Sequence, residues 1–192
     1  MADVLAITTG HGRLYLAAET VAIPTLTGAD SDFAGTFDLL GYTDDGVEAD
    51  HTSTEKEIRV DEETDPVDVL TDKETNMVSV KLAEATMQNL YYAMTGATLT
   101  GTDVITFGGK ARPNIFRLGF LMPSERNPST LAQGTRELIL FRVYSKGAVK
   151  THYKRNDKIT YTCQFVALAD STQPVGARTG KYQNFPATVF VP

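Results

Sequence analysis

Alternation of apolar and polar residues is the feature that most constrains what this chain can fold into. Successive side chains of a β-strand point to opposite faces, so a period of two predicts a strand with one buried and one solvated face. The clearest case is the segment 158–169, whose apolar residues share one face: Ile159, Tyr161, Cys163, Phe165 and Ala167. Because this pattern dominates the sequence, it predicts a mainly β protein.

Further strands follow from the same reasoning. The segment 137–145 alternates, with Ile139, Phe141 and Val143 on one side. The segment 115–122 is apolar nearly throughout, which is typical of a strand covered on both faces. Two short strands are expected near the ends of the sequence: residues 13–17 and residues 188–191.

Length and composition predict a single globular domain. Two halves of a 192-residue chain would each have a thin core, and 42% hydrophobic with 22% charged residues is typical of a folded protein. The single Cys163 excludes an intramolecular disulfide, as expected of a protein made in a reducing cytoplasm. No apolar run could span a bilayer, and the first residues form neither a basic leader nor a long apolar region. We therefore expect one domain that is stabilised by packing alone.

Charge is distributed unevenly along the sequence. Residues 41–74 contain thirteen acidic and three basic residues, whereas residues 75–192 carry a net charge of +8 within an overall charge of −6. Complementary fields orient partners during association, so one copy of the chain is expected to dock on another.

Much of the acidic segment belongs to a predicted hairpin over about residues 46–83. Its second strand places Val78, Val80 and Leu82 on one face, after an acidic turn at 63–66. The tripeptide Asp44-Asp45-Gly46 is interpreted as a turn, because Asp and Gly accept the backbone angles of turns. The first strand has one wholly polar face, formed by His51, Ser53, Glu55, Glu57, Arg59, Asp61 and Glu63.

One segment has the period of a helix. Apolar residues follow the spacing i, i+3, i+4, i+7, and Gly96 occupies the position of a C-terminal stop. A short helix over about residues 84–95 is therefore expected to cover one face of the sheet. Residues 123–135 are interpreted as a polar loop long enough to contact a partner, and residues 108–110 as a hairpin turn. The apolar stripe assigned to the core is Met87, Leu90, Tyr91 and Met94.

The order of these motifs resembles that of the major tail tube proteins of long-tailed bacteriophages. The series is GRLYLA (12–17), LLGYTDDGVEAD (39–50), IRVDEETDPVDVL (58–70) and NMVSVKLAEATMQNLYYAMTG (76–96). The likeness lies in the succession of an acidic turn, a strand, a second acid-rich turn, a long strand and a short helix. It covers the first half of the chain, and the second half only in its strand pattern.

The resemblance implies a β-sandwich or partial barrel with one short flanking helix, whose inner barrel is completed by oligomerisation. Hexameric rings would stack into a hollow tube in the virion tail, through which the genome passes into the host. Closing a barrel from several chains removes exposed sheet edges. Also implied are assembly in the host cytoplasm, an N-terminal arm (1–12) that grips a neighbouring ring, and contacts with tape-measure and tail-end proteins. Genomic DNA would pass without specific binding, and no membrane partner is implied.

Within such a tube the charged residues have two possible roles. A lumen lined by acidic side chains would repel DNA phosphates within a screening length of about 8 to 10 Å, and let the duplex slide. The lumen candidates are Glu55, Glu57, Asp61 and Glu63. The candidates for contacts between subunits or rings are Asp44, Asp45, Glu62, Asp65, Lys150, Lys154 and Arg155. The basic stretch 142–158 has two other interpretations, a solvated hairpin and a nucleic-acid patch.

The sequence predicts no catalytic residue, cofactor or metal ligand. Adjacent acids on a strand point to opposite faces, the acidic spacing matches no EF-hand loop, and the three histidines form no metal-binding pattern. Cys163 lies on the apolar face of its strand and is expected to be a buried, inert thiol. A non-enzymatic structural subunit is therefore the first hypothesis. The alternatives are a monomeric β-sandwich module for virion decoration or receptor binding, and a hydrolase that uses the acidic cluster.

Overall fold

The computed structural model describes residues 12–28, 32–61, 63–126, 133–147, 149 and 159–185. Within them the protein is mainly β with one short helix and antiparallel strands, which confirms the predicted fold class. The elements are β1 (Arg13–Ala18), β2 (Asp38–Leu39), β3 (Thr43–Ile58), β4 (Asp68–Leu82), α1 (Met87–Ala93), β5 (Thr98–Thr100), β6 (Val104–Thr106), β7 (Phe116–Arg126), β8 (Gln133–Lys146), β9 (Tyr161–Ala167) and β10 (Gly180–Phe185).

The strands form one large sheet and a small separate hairpin. The large sheet has the order β2-β1-β7-β8-β9-β4-β3, with β10 paired to β8, and it does not close on itself within the described residues. Of the strands that the structure describes, β5 and β6 pair only with each other. Among the described residues, no helix has the length and apolar character needed to cross a membrane.

The centre of the sheet is covered on both faces, which explains why residues 116–122 of β7 and 138–141 of β8 are apolar nearly throughout. One face contributes Leu16, Leu118 and Phe165 to a core that also includes Tyr92 and Ala93 of the helix. The other face packs beneath the segment between β1 and β2, and its core is Tyr15, Ala17, Leu26, Phe33, Phe37, Ile139 and Phe141. The burial of apolar side chains in two layers is what holds this disulfide-free chain together.

A β-bulge in β8 corrects one predicted face. Phe116 pairs with Val143 and Leu118 pairs with Leu140, so two residues of β8 lie opposite one residue of β7. The extra residue reverses the alternation. Val143 therefore joins the core of Leu138 and Leu140, and not that of Ile139 and Phe141 as predicted.

The helix is shorter and rotated relative to its prediction. Thr86 caps its N-terminus by accepting a hydrogen bond from the backbone N–H of Asn89 at 3.1 Å, and Gly96 adopts a φ of 73° after its end. The buried helical residues are Asn89, Tyr92 and Ala93, while Met87 is 36% exposed. The predicted apolar stripe is therefore not the centre of the buried face of the helix. Asn89 lies in that face, and its side-chain amide donates to the carbonyls of Leu40 and Glu84.

Two predicted loops also differ from the structure. β7 continues to Arg126 and β8 begins at Gln133, so most of the predicted loop 123–135 is strand, and residues 127–132 lie outside the described residues. Gly108 and Gly109 follow β6 in a connecting loop, whereas the hairpin turn is formed by residues 101–103. The predicted strand 188–191 and residues 1–11 of the predicted N-terminal extension (1–12) lie outside the described residues.

We predict that Gly119→Ala destabilises the protein. Gly119 lies opposite Tyr15, and an added Cβ would lie 2.4 Å from Cε1 of Phe33, which is fully buried against the Tyr15 ring. Overpacking of this kind should lower the free energy of unfolding by about 1 to 3 kcal/mol, measured by urea denaturation.

The control is the double variant Gly119→Ala/Phe33→Leu. The smaller Leu makes room for the new methyl group, so the double variant should lose less stability than the sum of the two single variants. Additive losses would show that the Phe33 ring does not limit the space at Gly119.

Candidate assembly surface

The hairpin formed by β3 and β4 extends well beyond the rest of the sheet. β4 pairs with β9 only from Met77 to Leu82, whereas its pairing with β3 continues to Asp68. Every described residue from 51 to 74 is exposed. At about 3.4 Å per residue, this part of the hairpin projects about 25 Å as a two-stranded ribbon. We call residues 51–74 the arm.

A two-residue bulge marks the base of the hairpin and corrects the predicted turn at residues 44–46. Asp44 pairs with Lys81 and Val47 pairs with Val80, so Asp45 and Gly46 are additional residues inside β3. Both have a left-handed backbone, with φ of 65° and 85°. Asp and Gly are indeed suited to these angles, but they bend a continuous strand rather than reverse the chain.

Asp44 and Asp45 have a partner within their own chain. The Nζ of Lys81 lies 2.8 Å from Oδ2 of Asp44 and 3.5 Å from Oδ2 of Asp45. The hydrogen bond and charge of Asp44 raise the pKa of Lys81 above its ordinary value. Because this cluster is exposed, it contributes little to stability, and it fixes the orientation of side chains at the bulge. A role of either aspartate between subunits stays a prediction.

Of the four predicted lumen residues, Glu55 and Glu57 lie in β3, and Asp61 and Glu63 lie beyond its end. Glu55 and Glu57 lie on the same side of β3 as Val47 and Ala49, whose partners Val80 and Val78 belong to the core. Glu57 also accepts a hydrogen bond from Nη2 of Arg59 at 2.7 Å. The acidic face is thus continuous with the core side of the sheet, and its exposure to a lumen stays a prediction.

The predicted polar face ends earlier than expected. β3 stops at Ile58, so Asp61 and Glu63 lie in the turn at the tip of the arm, together with Asp65, and all three are exposed. The turn is closed by a hydrogen bond from the N–H of Val67 to the carbonyl of Ile58 at 2.9 Å. Asp61 and Glu63 therefore do not extend the strand face as predicted. Glu62, Lys150, Lys154 and Arg155 lie outside the described residues.

The arm also exposes large apolar side chains that the sequence reasoning did not single out. Contiguous exposed apolar residues mark interaction sites, and the register places Ile58 and Leu70 on one face of the ribbon and Val69 on the other. Their exposures are 36% for Ile58, 41% for Val60, 51% for Val67 and Val69, and 53% for Leu70. These apolar residues lie in the segments IRV (58–60) and DPVDVL (65–70). The acidic residues around them direct attention to the charge of the segment rather than to its apolar side chains.

An open cleft of about 550 Å³ lies where the arm leaves the sheet. Phe120 and Met122 of β7 and Tyr182 of β10 form its apolar wall, and Tyr182 is 57% exposed. Val47 and Ala49 at the base of the arm complete it, beside Arg136. The cleft therefore opens on the side of the sheet that carries Glu55 and Glu57.

The remaining candidate chemistry belongs to single residues. Cys163 is buried as predicted, and burial raises the pKa of its thiol to about 12, so it is not a nucleophile at neutral pH. His51 contacts Oδ1 of Asn76 at 2.7 Å across the arm's base. Within the described part of the chain, no three histidine, cysteine or carboxylate side chains come together in a way that could hold a metal ion.

No protein-family model matches the sequence, and no curated protein matches it.

We predict that Asp45→Val destabilises the protein more than Asp45→Asn. Both variants remove the carboxylate near Lys81, but only the β-branched Val resists the left-handed backbone of the bulge. The difference in free energy of unfolding should be about 1 to 2 kcal/mol by urea denaturation. Equal stabilities would show that the bulge relaxes when this position is substituted.

Proposed function

We propose that this protein is a structural subunit that assembles with copies of itself through the arm. The observation that carries the proposal is the exposure of Ile58, Val69 and Leu70 on a ribbon that no third strand supports among the described residues. A two-stranded hairpin is marginally stable in water, and stable β-structure needs a third strand or a packed face. A partner that covers the arm would supply both.

The edge of the sheet supports the same conclusion. β3 is the terminal strand of the sheet and is 16 residues long, and no described strand pairs with its outer side. An edge of this length presents a row of free backbone groups that can pair with another chain. The opposite terminal strand, β2, has only two residues, so within the described residues much of the outer edge of β1 is also unpaired. The sheet thus offers two edges that copies of the chain could join.

The form of assembly that we propose is a hollow tube, as in the major tail tube proteins whose motif order the sequence resembles. Rings of six subunits would stack into a virion tail tube, assembled in the host cytoplasm, and the viral genome would pass through it. Tape-measure and tail-end proteins would be its other partners. Three features support this proposal: the mainly β fold, the long acidic arm and the uncovered sheet edges.

We predict that Leu70→Glu prevents assembly. The variant places a charge in the exposed apolar group of the arm, so the face that a partner must cover would become costly to desolvate. Sedimentation velocity of the concentrated protein should show rings or tubes for the wild type and at least a tenfold smaller assembled fraction for the variant, about 1.4 kcal/mol or more per contact. Negative-stain electron microscopy should show hollow tubes only for the wild type.

The matched control is Val104→Glu. Val104 in β6 is 53% exposed, like Leu70, but it lies in the separate hairpin away from the arm. This variant should assemble like the wild type. Equal loss in both variants would argue for non-specific association. Persistent wild-type monomers would contradict the proposal and favour a monomeric binding module for virion decoration or receptor binding.

We also predict that Glu55→Lys/Glu57→Lys makes the tubes bind DNA. If these side chains line the lumen, reversing them replaces repulsion of the phosphates by attraction. Tubes assembled with a short duplex should retain about tenfold more DNA on sedimentation at low salt than wild-type tubes, and should release it at high salt.

The control for this prediction is Glu48→Lys/Asp50→Lys. These residues lie on the opposite side of the same strand and upstream of the arm. Retention of DNA by this variant alone would place the other side of β3 in the lumen and contradict the assignment of Glu55 and Glu57.

A further inference from the structure

A buried carboxyl group lies on the sheet face of the second core, opposite the face that lines the cleft. Glu137 of β8 is fully buried, and neither oxygen of its carboxyl group accepts a hydrogen bond from a donor within the described residues. It pairs with Leu121 of β7 and Gln183 of β10, on the sheet face that carries Ile139. A buried, ionised carboxylate without a donor is costly, so this group needs a proton or a partner.

Asp32 belongs to the segment that packs on this face of the sheet, since Phe33 is part of the second core and Gly28, which donates to Asp32, lies against Phe185 of β10; its carboxyl group is the one that interacts with Glu137. Asp32 is held by three donors: its Oδ1 accepts from the hydroxyl of Thr27 at 2.7 Å, and its Oδ2 accepts from the N–H groups of Thr27 and Gly28. Donors to a carboxylate favour its ionised form. Asp32 is therefore the charged member of the pair, and Glu137 is the member that takes the proton.

The electrostatic surroundings of Glu137 agree with this assignment. Burial is the main cause that raises the pKa of Glu137, to about 7, and the charge of Asp32 and a hydrogen bond to it act in the same direction. The N–H of Gly28 opposes them. A protonated Glu137 can donate its O–H to Asp32, which gives both carboxyl groups a partner.

Other charged groups near this face belong to neighbouring strands. Arg13 of β1 lies across from Leu121, and Lys181 of β10 lies across from Ile139, so register places both on the same face as Glu137. Arg136 precedes Glu137 and points to the other side, where its Nη2 lies 3.7 Å from Glu125. None of these three is among the groups that shift the pKa of Glu137.

We propose that Glu137 and Asp32 share one proton, and that this carboxyl pair holds residues 32–37 against the sheet in a pH-dependent manner. The turn at 32–37 carries Phe33, which stacks on Tyr15 at 5.3 Å between ring centroids, and Phe37. Loss of the proton places two like charges in contact beneath these rings. The turn then loosens, and apolar surface of the sheet becomes accessible. This inference does not depend on the assembly of the protein.

The sign of the pH dependence follows from the two ionisation states. Below about pH 4.5 the carboxyl of Glu137 is protonated whether the chain is folded or unfolded. Between about pH 4.5 and about pH 7 the folded chain keeps a proton that the unfolded chain has lost, so each rise in pH favours unfolding. Above about pH 7 both forms are ionised, and the loss is complete.

The decisive variant is Glu137→Gln, whose amide can donate to Asp32 at every pH. Thermal unfolding of the full chain should show a Tm that falls between about pH 5 and about pH 8 in the wild type and falls much less in E137Q. The matched control is Glu125→Gln on β7, an exposed carboxylate that should keep the wild-type dependence. Asp32→Asn removes the neighbouring charge and also one of the two oxygens that accept from Thr27 and Gly28, so its Tm should be lower at every pH and its pH dependence should lie between those of the wild type and E137Q.

Hydrogen–deuterium exchange locates the effect. After correction for the intrinsic exchange rate, peptides over residues 32–40 should lose protection at about pH 8 in the wild type and retain it in E137Q, while peptides over α1 stay unchanged in both. Equal pH dependence of Tm in the wild type and E137Q would overturn the proposal. So would a rise in Tm with millimolar calcium at about pH 8 that E137Q lacks, since the pair would then bind a cation.

Discussion

The length over which β4 pairs with β9 determines how much of the hairpin packs against the rest of the protein and how much projects from it. From Met77 to Leu82, β4 belongs to a sheet with a packed face. The rest of the hairpin, from Asn76 toward its tip, consists of two strands alone among the described residues. Shortening the hairpin to the supported part would remove the ribbon and leave the packed sheet. Its extension commits 24 residues, 51–74, to a ribbon that cannot bury its own apolar side chains. Contact with a partner would bury the apolar side chains of such a ribbon and support its two strands.

The rest of the sheet follows a different rule, since its centre is buried from both sides. β7 and β8 contribute alternate residues to two cores, and the close approach of Phe33 to Gly119 is possible because that position has no side chain. Toward β9 and β4 the second cover ends, and polar residues such as Thr162 and Ser79 take the outer face. The molecule therefore combines a rigid centre with an open flank, and the arm is attached to that flank.

Sequence periodicity predicted the elements better than their details. The alternation around Cys163, the hairpin and the short helix were confirmed, because burial on one face leaves a regular pattern, although the helix ends at Ala93, before Gly96. The bulges in β8 and β3 were missed, since a single extra residue reverses the alternation without changing the composition. Glu137 was missed too, because a buried acid looks like a solvated one until its facing group, Asp32, is known.

The charge of the arm restricts which surface can cover it. Residues 51–74 contain nine acidic and three basic residues, so two arms brought side by side would repel each other. Carboxylates on an exposed strand also protect it from uncontrolled edge pairing. In the assembly that we propose, the apolar residues of the arm would therefore contact another part of the chain, and residues 75–192 carry the compensating positive charge. Contact of arm with body, repeated from copy to copy, is head-to-tail, and head-to-tail contacts generate rings or open filaments rather than closed dimers.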